Sequence, residues 1–327
     1  MSMVRSRADW LLFIALSLMW GSSYLFIKIG VEAGLTPFVL VMLRLLIGFA
    51  VLVTVVFIAR ERLPRGFRAY AHLTILGFFG IALPFSLITW AENSVDSAVA
   101  AVLTAPTPIF VIPIAALLLH DERLTINRFL GVVVGLAGVA ILVGFDPAKI
   151  GRGELTAELA LVGACVSYAM AGVYARRFVQ GYRPMIPAMF EIGTALVMIT
   201  VMAFVFEHPL SLQLSPEQLR NALFAVAWLG VFGSGLAFMI FFRLISNWGA
   251  TRTALVAYVM PIWGIILGAV VLGEVIDAGR LTGSALVIGG IALVNVNRES
   301  LAGAANRIRR RSANSAPAVA EATSELR

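Results

Sequence analysis

Ten apolar runs follow one another along the chain, each about as long as a helix needs to be to cross a bilayer and each separated from the next by a short polar link. They lie near Trp10–Ile29, Thr36–Ala59, Tyr70–Ala91, Val95–Leu119, Asn127–Phe145, Ala157–Ala175, Met185–Phe206, Gln218–Phe242, Thr251–Gly273 and Arg280–Val296. A spanning helix takes roughly 20 apolar residues, so ten of them use about 200. The chain has 327 residues, which leaves room for links but not for a second soluble domain. Composition agrees: 60% of residues are hydrophobic and only 13% charged. A soluble core does not need every segment to be apolar, whereas lipid as solvent does. The expected fold class is therefore an all-α integral membrane protein of ten transmembrane helices.

The charges that remain set the orientation. With the N-terminus inside, inner segments hold Arg5, Arg7, Arg60, Arg62, Arg65, Arg68, Arg123, Arg128, Arg176, Arg177, Arg183, Arg243 and Arg252, while outer ones hold little beyond Lys149, Arg152, Arg220 and Arg280. The positive-inside rule then places both termini in the cytoplasm. The formal net charge of +7 is spread among links and tail rather than forming one face, which argues against a nucleic-acid partner. The chain divides into a cytoplasmic N-terminus (1–9), a five-helix unit (10–145), a second five-helix unit (157–297) and a basic, disordered cytoplasmic tail (298–327) whose arginines suit anionic headgroups. The one cysteine, Cys165, lies inside an apolar run and reads as a small core residue.

The two units repeat. Gly77 through Ile109 aligns without gaps on Gly230 through Ile262, so that Gly77 falls on Gly230, Phe79 on Phe232, Gly80 on Gly233, Phe85 on Phe238, Ala101 on Ala254 and Pro108 on Pro261. Trp20, Phe26 and Lys28 fall on Tyr168, Tyr174 and Arg176. Five spans per unit is an odd number, so the second must enter the membrane the other way up. Loop charges change sign between matching loops, as inversion requires: Glu32 is answered by Arg176, Arg177 and Arg183. Inverted repeats belong to transporters that work by alternating access, with substrate held near the midplane.

Residues inside the spans suggest where. Pro106, Pro108 and Pro113 interrupt span four and Pro261 interrupts span nine. A helix proline removes a hydrogen bond and frees the carbonyl four residues earlier, here those of Val102, Thr104, Ile109 and Ala257. Backbone freed at that depth must be buried in protein or line a watery cavity. Arg44 in span two and Glu191 in span seven occupy nearly equivalent repeat positions, and intramembrane charges mark pathways or structural pairs. Arg44 would give the cavity a positive charge favouring carboxylates or other anions, and Glu191 is the expected proton-coupling group. Trp20, Ser23, Tyr24, Trp90, Tyr168, Tyr174, Phe238 and Tyr258 complete the expected substrate-binding wall. Lys28 reads as a headgroup anchor. Gly131, Gly135, Gly138, Gly283, Gly289 and Gly290 read as close-packing positions, within the chain or across a homodimer. Glu122 and Glu274 precede the last span of their units as dipole-complementing acids, with Thr125 as an N-cap.

Trp20-Gly21-Ser22-Ser23, then Lys28 and Arg44, then Asp121-Glu122-Arg123-Leu124-Thr125 leading to Gly131, resembles the EamA-type branch of the drug/metabolite transporter superfamily. The likeness runs from about Trp10 to Val296. Leu272-Gly273-Glu274 is family-like, whereas Val275-Ile276 departs from the usual Arg-Leu. The resemblance implies two inverted five-helix repeats in a bacterial inner membrane, and a central cavity lined by spans one, three, four, six, eight and nine. It also implies secondary transport, chiefly export, of amino acids, metabolites or toxic organic compounds. No cofactor and no metal are expected; the expected partners are a small-molecule substrate, the lipid bilayer and a coupling proton or other ion. A membrane-embedded enzyme acting on a lipid-linked substrate is the alternative, but His72, His120 and His208 are scattered at segment ends without metal-site spacing.

Overall fold

The computed structural model describes residues 7–61, 63–118, 126–143, 154–179, 182, 185–248, 256–273 and 278–295. Among them every regular element is helical, and the helices group into ten rods. The first unit comprises α1 (Arg7–Glu32), α2 (Pro37–Ile58), α3 (Phe67–Ala91), α4 (Ser97–Thr104, resuming at Thr107–Leu118) and α5 (Ile126–Val143). The second comprises α6 (Glu154–Phe178), α7 (Met185–Met202, continued by Ala203–Glu207), α8 (Pro216–Trp228, Leu229–Leu236 and Ala237–Trp248), α9 (Val256–Leu267, continued by Gly268–Leu272) and α10 (Ala278–Asn295). Six rods, α1, α2, α3, α6, α7 and α8, are long and apolar enough to cross a membrane by themselves, and shorter apolar helices lie in α4, α9 and α10. Glu122, Glu274, Thr125, His120, Val275, Ile276 and the tail from 298 lie outside the described residues.

Local chemistry sets several of the helix ends. Ser215 and Gln218 form a reciprocal capping box at the start of α8, and Pro216 takes the first helical position, where its missing N–H costs nothing. Gly273 ends α9 in the left-handed conformation at φ 69°, which glycine adopts without a Cβ penalty. The start of α2 is different. Thr36 stands at its N-cap but makes no capping bond. The carboxylate of Glu207, at the end of α7, instead accepts from the amides of Phe38 (3.1 Å) and Val39 (2.9 Å). One unit thus caps a helix of the other.

Widened π turns interrupt α3 at Phe78–Ala82 and α8 at Leu229–Leu236. These segments overlap in the repeat alignment, so the two units share a backbone irregularity as well as residues. In such turns a carbonyl is left without its helical partner. Ser167 Oγ on α6 donates to Phe79 O at 2.7 Å, which shows where one of them goes.

Helices in lipid are held by packing, because lipid tails are as apolar as side chains. Small residues make this possible here. A Cβ on Gly290 of α10 would stand 2.5 Å from the Gly135 nitrogen of α5, and one on Gly21 of α1 would stand 2.6 Å from Trp263 Cβ of α9. The pair α5–α10 packs chiefly on itself beside the main bundle. Large side chains such as Phe57, Phe67 and Leu117 point outward, as a lipid-facing surface requires.

Candidate functional site

The break in α4 is the first feature of the site. Span four was expected to be interrupted by its prolines, with free carbonyls at Val102 and Thr104 among others. The helix does stop at Thr104 and restarts at Thr107, with Pro106 buried between the two pieces. Neither of those carbonyls is left free. Val102 O accepts from Ala105 N at 3.2 Å in a tightened turn. Thr104 O accepts from Thr107 Oγ1 at 3.0 Å and from the Cys165 thiol at 3.4 Å, and the same thiol donates to Leu103 O at 3.2 Å. Cys165 is therefore a donor to the broken strand of backbone, and not merely a small core residue. The Tyr24 hydroxyl of α1 is hydrogen-bonded to Thr104 Oγ1. Pro108, Pro261 and Tyr258 lie on described helices, but their side chains are outside the described set.

Arg44 stands about two turns into α2 and is only 3% exposed. Its guanidinium lies 4.2 Å over the Phe85 ring of α3, and Nη2 donates to Ser234 Oγ of α8 at 3.4 Å. A Cβ on Gly233 would stand 3.0 Å from Ser23 Oγ and 3.4 Å from Arg44 Nη2. Tyr24, Tyr168 and Glu92 lie within electrostatic reach of Arg44. Ser23, Tyr24, Arg44 and Tyr168 are thus gathered from three helices.

Glu191 stands at the matching depth of α7. Its carboxyl oxygen occupies the space that a Cβ on Gly80 of α3 would need, with the Ala171 methyl of α6 beside it. Its backbone carbonyl lies 2.9 Å from the Cβ position of Gly77, just as that of Arg44 lies 3.1 Å from the Cβ position of Gly230. These two contacts of α2 on α8 therefore have counterparts of α7 on α3, with the units exchanged. Tyr168 lies within electrostatic reach of both Arg44 and Glu191.

The other expected residues are more widely spread. Trp20 packs edge-on to Phe238 at 6.0 Å and against Phe241 at 5.1 Å, forming an aromatic wall between α1 and α8. Trp90 is 46% exposed near the end of α3. Tyr174 lies almost two turns along α6 from Tyr168, and its hydroxyl meets His72 Nδ1 at 2.7 Å, away from the Arg44 cluster. Lys28 is not a headgroup anchor: its ammonium donates to the carbonyls of Glu92 (3.0 Å) and Val95 (3.1 Å), closing the turn between α3 and α4. Phe85, Thr104 and Ser234 were missed as site residues. Phe85 was visible as a repeat match, and the other two only as lone hydroxyls in apolar runs.

A buried, helix-lined polar cluster between two repeated units of a multi-pass membrane protein defines a transporter-type architecture. The family model for the EamA-like transporter family matches the chain twice, over residues 9–144 and 155–296, and the chain belongs to that family. It is a membrane transporter of the drug/metabolite type. Among its relatives is the uncharacterized transporter YoaV of Bacillus subtilis (strain 168), 25% identical over 85% of this chain and 93% of that one. Another is the uncharacterized inner membrane transporter YedA of Escherichia coli (strain K12), 26% identical over 87% and 89%. A solved structure described as "Crystal structure of protein" matches with a TM-score of 0.63 at 24% identity, covering 89% of this chain and 98% of that one, and shows the same fold.

Proposed function

We propose that the chain is a secondary active transporter that exports a small organic solute, an amino acid or related metabolite, across the bacterial inner membrane by alternating access. Both termini face the cytoplasm, and the second unit is inverted relative to the first. Substrate binds where α1, α2, α6 and α8 meet, against Ser23, Tyr24, Arg44 and Tyr168, with Trp20 and Phe238 as the apolar wall. Glu191 carries the coupling proton.

The observation that supports this most directly is the exchange of contacts between units: Arg44 over Gly233 and Glu191 over Gly80. Two units related in this way have two equivalent packings, and rocking from one to the other opens the midplane alternately to each side. A buried arginine and a buried carboxyl at matched positions are costly in hydrocarbon and are retained where a solute or proton passes.

The test is uptake and efflux of amino acids and organic cations in proteoliposomes, with and without a pH gradient. Accumulation driven by the gradient supports coupled transport. Movement only down the solute gradient removes Glu191 from the coupling role, and no movement of any solute overturns the reading.

A further inference from the structure

The two matched contacts are chemically unequal. Around Glu191 the neighbours of Gly80 are apolar: the Ala171 methyl beside it and buried Ile81 next in sequence. The corresponding neighbours of Gly233 are the buried Ser23 hydroxyl and a Leu229 methyl, with buried Ser234 next in sequence. The repeat has therefore kept the backbone geometry twice, but the hydroxyl that meets Gly233 has no counterpart among the atoms nearest Gly80.

That cation is under-used. A guanidinium has five N–H donors. The Ser234 bond, at 3.4 Å, is long, and Nε is buried with no hydrogen-bond partner among the described residues. The guanidinium lies over the Phe85 ring, a contact that uses none of its N–H donors in a conventional hydrogen bond. Ser23 Oγ now donates to Met19 O at 3.1 Å, a local bond that a rotor can exchange for a better acceptor. Gly233 contributes no side chain beside Nη2 and Ser23 Oγ, where even a single Cβ would stand 3.4 Å from the one and 3.0 Å from the other.

We propose that this edge is an anion subsite. A substrate carboxylate lies against Arg44, accepts from the Ser23 and Ser234 hydroxyls, and sits over the bare Cα of Gly233. Its apolar part extends along Phe85. The transporter then selects carboxylate-bearing amphiphiles and discriminates against their neutral amides, and Gly233 is the specificity-determining position. This rests on the transporter reading for its physiological meaning, but binding can be measured without transport.

The probes are phenylacetate and phenylacetamide, the same skeleton with and without the charge. Ligand-induced thermal stabilisation of the purified protein reports binding, and proteoliposome uptake reports transport. The expected result is that phenylacetate binds at least tenfold more tightly than the amide. Gly233→Ala, which fills the subsite, should weaken the acid at least tenfold and the amide less than twofold. Ser234→Ala, a smaller change that leaves the packing intact, should weaken the acid about threefold to tenfold. Equal binding of acid and amide, binding of neither, or an unchanged preference in Ser234→Ala overturns the subsite. Acid-selective binding without transport keeps the subsite and overturns the transporter reading, whereas equal transport of both probes does the reverse.

Discussion

The carboxyl of Glu191 occupies the position that a side chain on Gly80 would take. The acid is therefore held against a π turn of the neighbouring helix, in a slot that exists because position 80 lacks a Cβ. Gly80→Ala should push the carboxyl out of that slot and lower transport at least tenfold. Gly172→Ala, whose added methyl meets nothing within 4 Å, should leave transport unchanged. Proteoliposome flux of the two variants checks this, and equal flux would show that the slot does not matter.

Neutralising the same acid separates coupling from binding. Glu191→Gln should insert normally, still bind solute and lose its response to a pH gradient, while Arg44→Ala should abolish transport with insertion intact. Efflux measured with and without an acid exterior checks both. Unaltered flux in both variants would remove these residues from the site.

Cys165 holds the break in α4 through its thiol. Cys165→Val removes the donor at similar volume and should cost about 1 kcal/mol, because two buried carbonyls lose a weak partner. Cys165→Ser should recover most of it. Thermal unfolding in detergent reads the difference. The wild-type thiol, fully buried, should also resist maleimide labelling until the protein unfolds.

Gly290 and Gly135 bring α5 and α10 into backbone contact. Gly290→Val should force them apart, costing on the order of 1–3 kcal/mol and lowering the yield of folded protein. Gly289→Ala, one position away and facing open space, should be neutral. Melting temperatures of the purified variants distinguish the two.

Glu207 caps α2 from the other unit. Glu207→Ala leaves two amides at the start of α2 without this acceptor and should destabilise by about 1 kcal/mol, the usual cost of a lost cap. Thermal unfolding again measures it, and a loss below one third of that value would mean that water caps α2 as well.

Much of the fold was legible in the sequence because lipid leaves few choices. Every backbone group must be satisfied inside its own segment, so apolar runs of spanning length become helices wherever they fall. The repeat was legible for a similar reason: glycines at close approaches cannot be replaced, and Gly77, Gly80, Gly230 and Gly233 all stand where a Cβ would collide with a neighbouring helix. Arg44 and Glu191 could be singled out because charges are rare in such segments.

What each of those residues touches was decided only by tertiary packing. Nothing along the chain says that Lys28 turns to carbonyls at Glu92 and Val95, that Tyr174 pairs with His72 rather than joining Tyr168, or that Cys165 reaches Thr104. Those partners lie on other helices, and a helix's rotation about its own axis is set by the shapes it meets. Hydrophobic periodicity normally reports that rotation in a soluble protein. In a membrane both faces are apolar, so the signal vanishes, and only the assembled bundle shows which way Arg44 points.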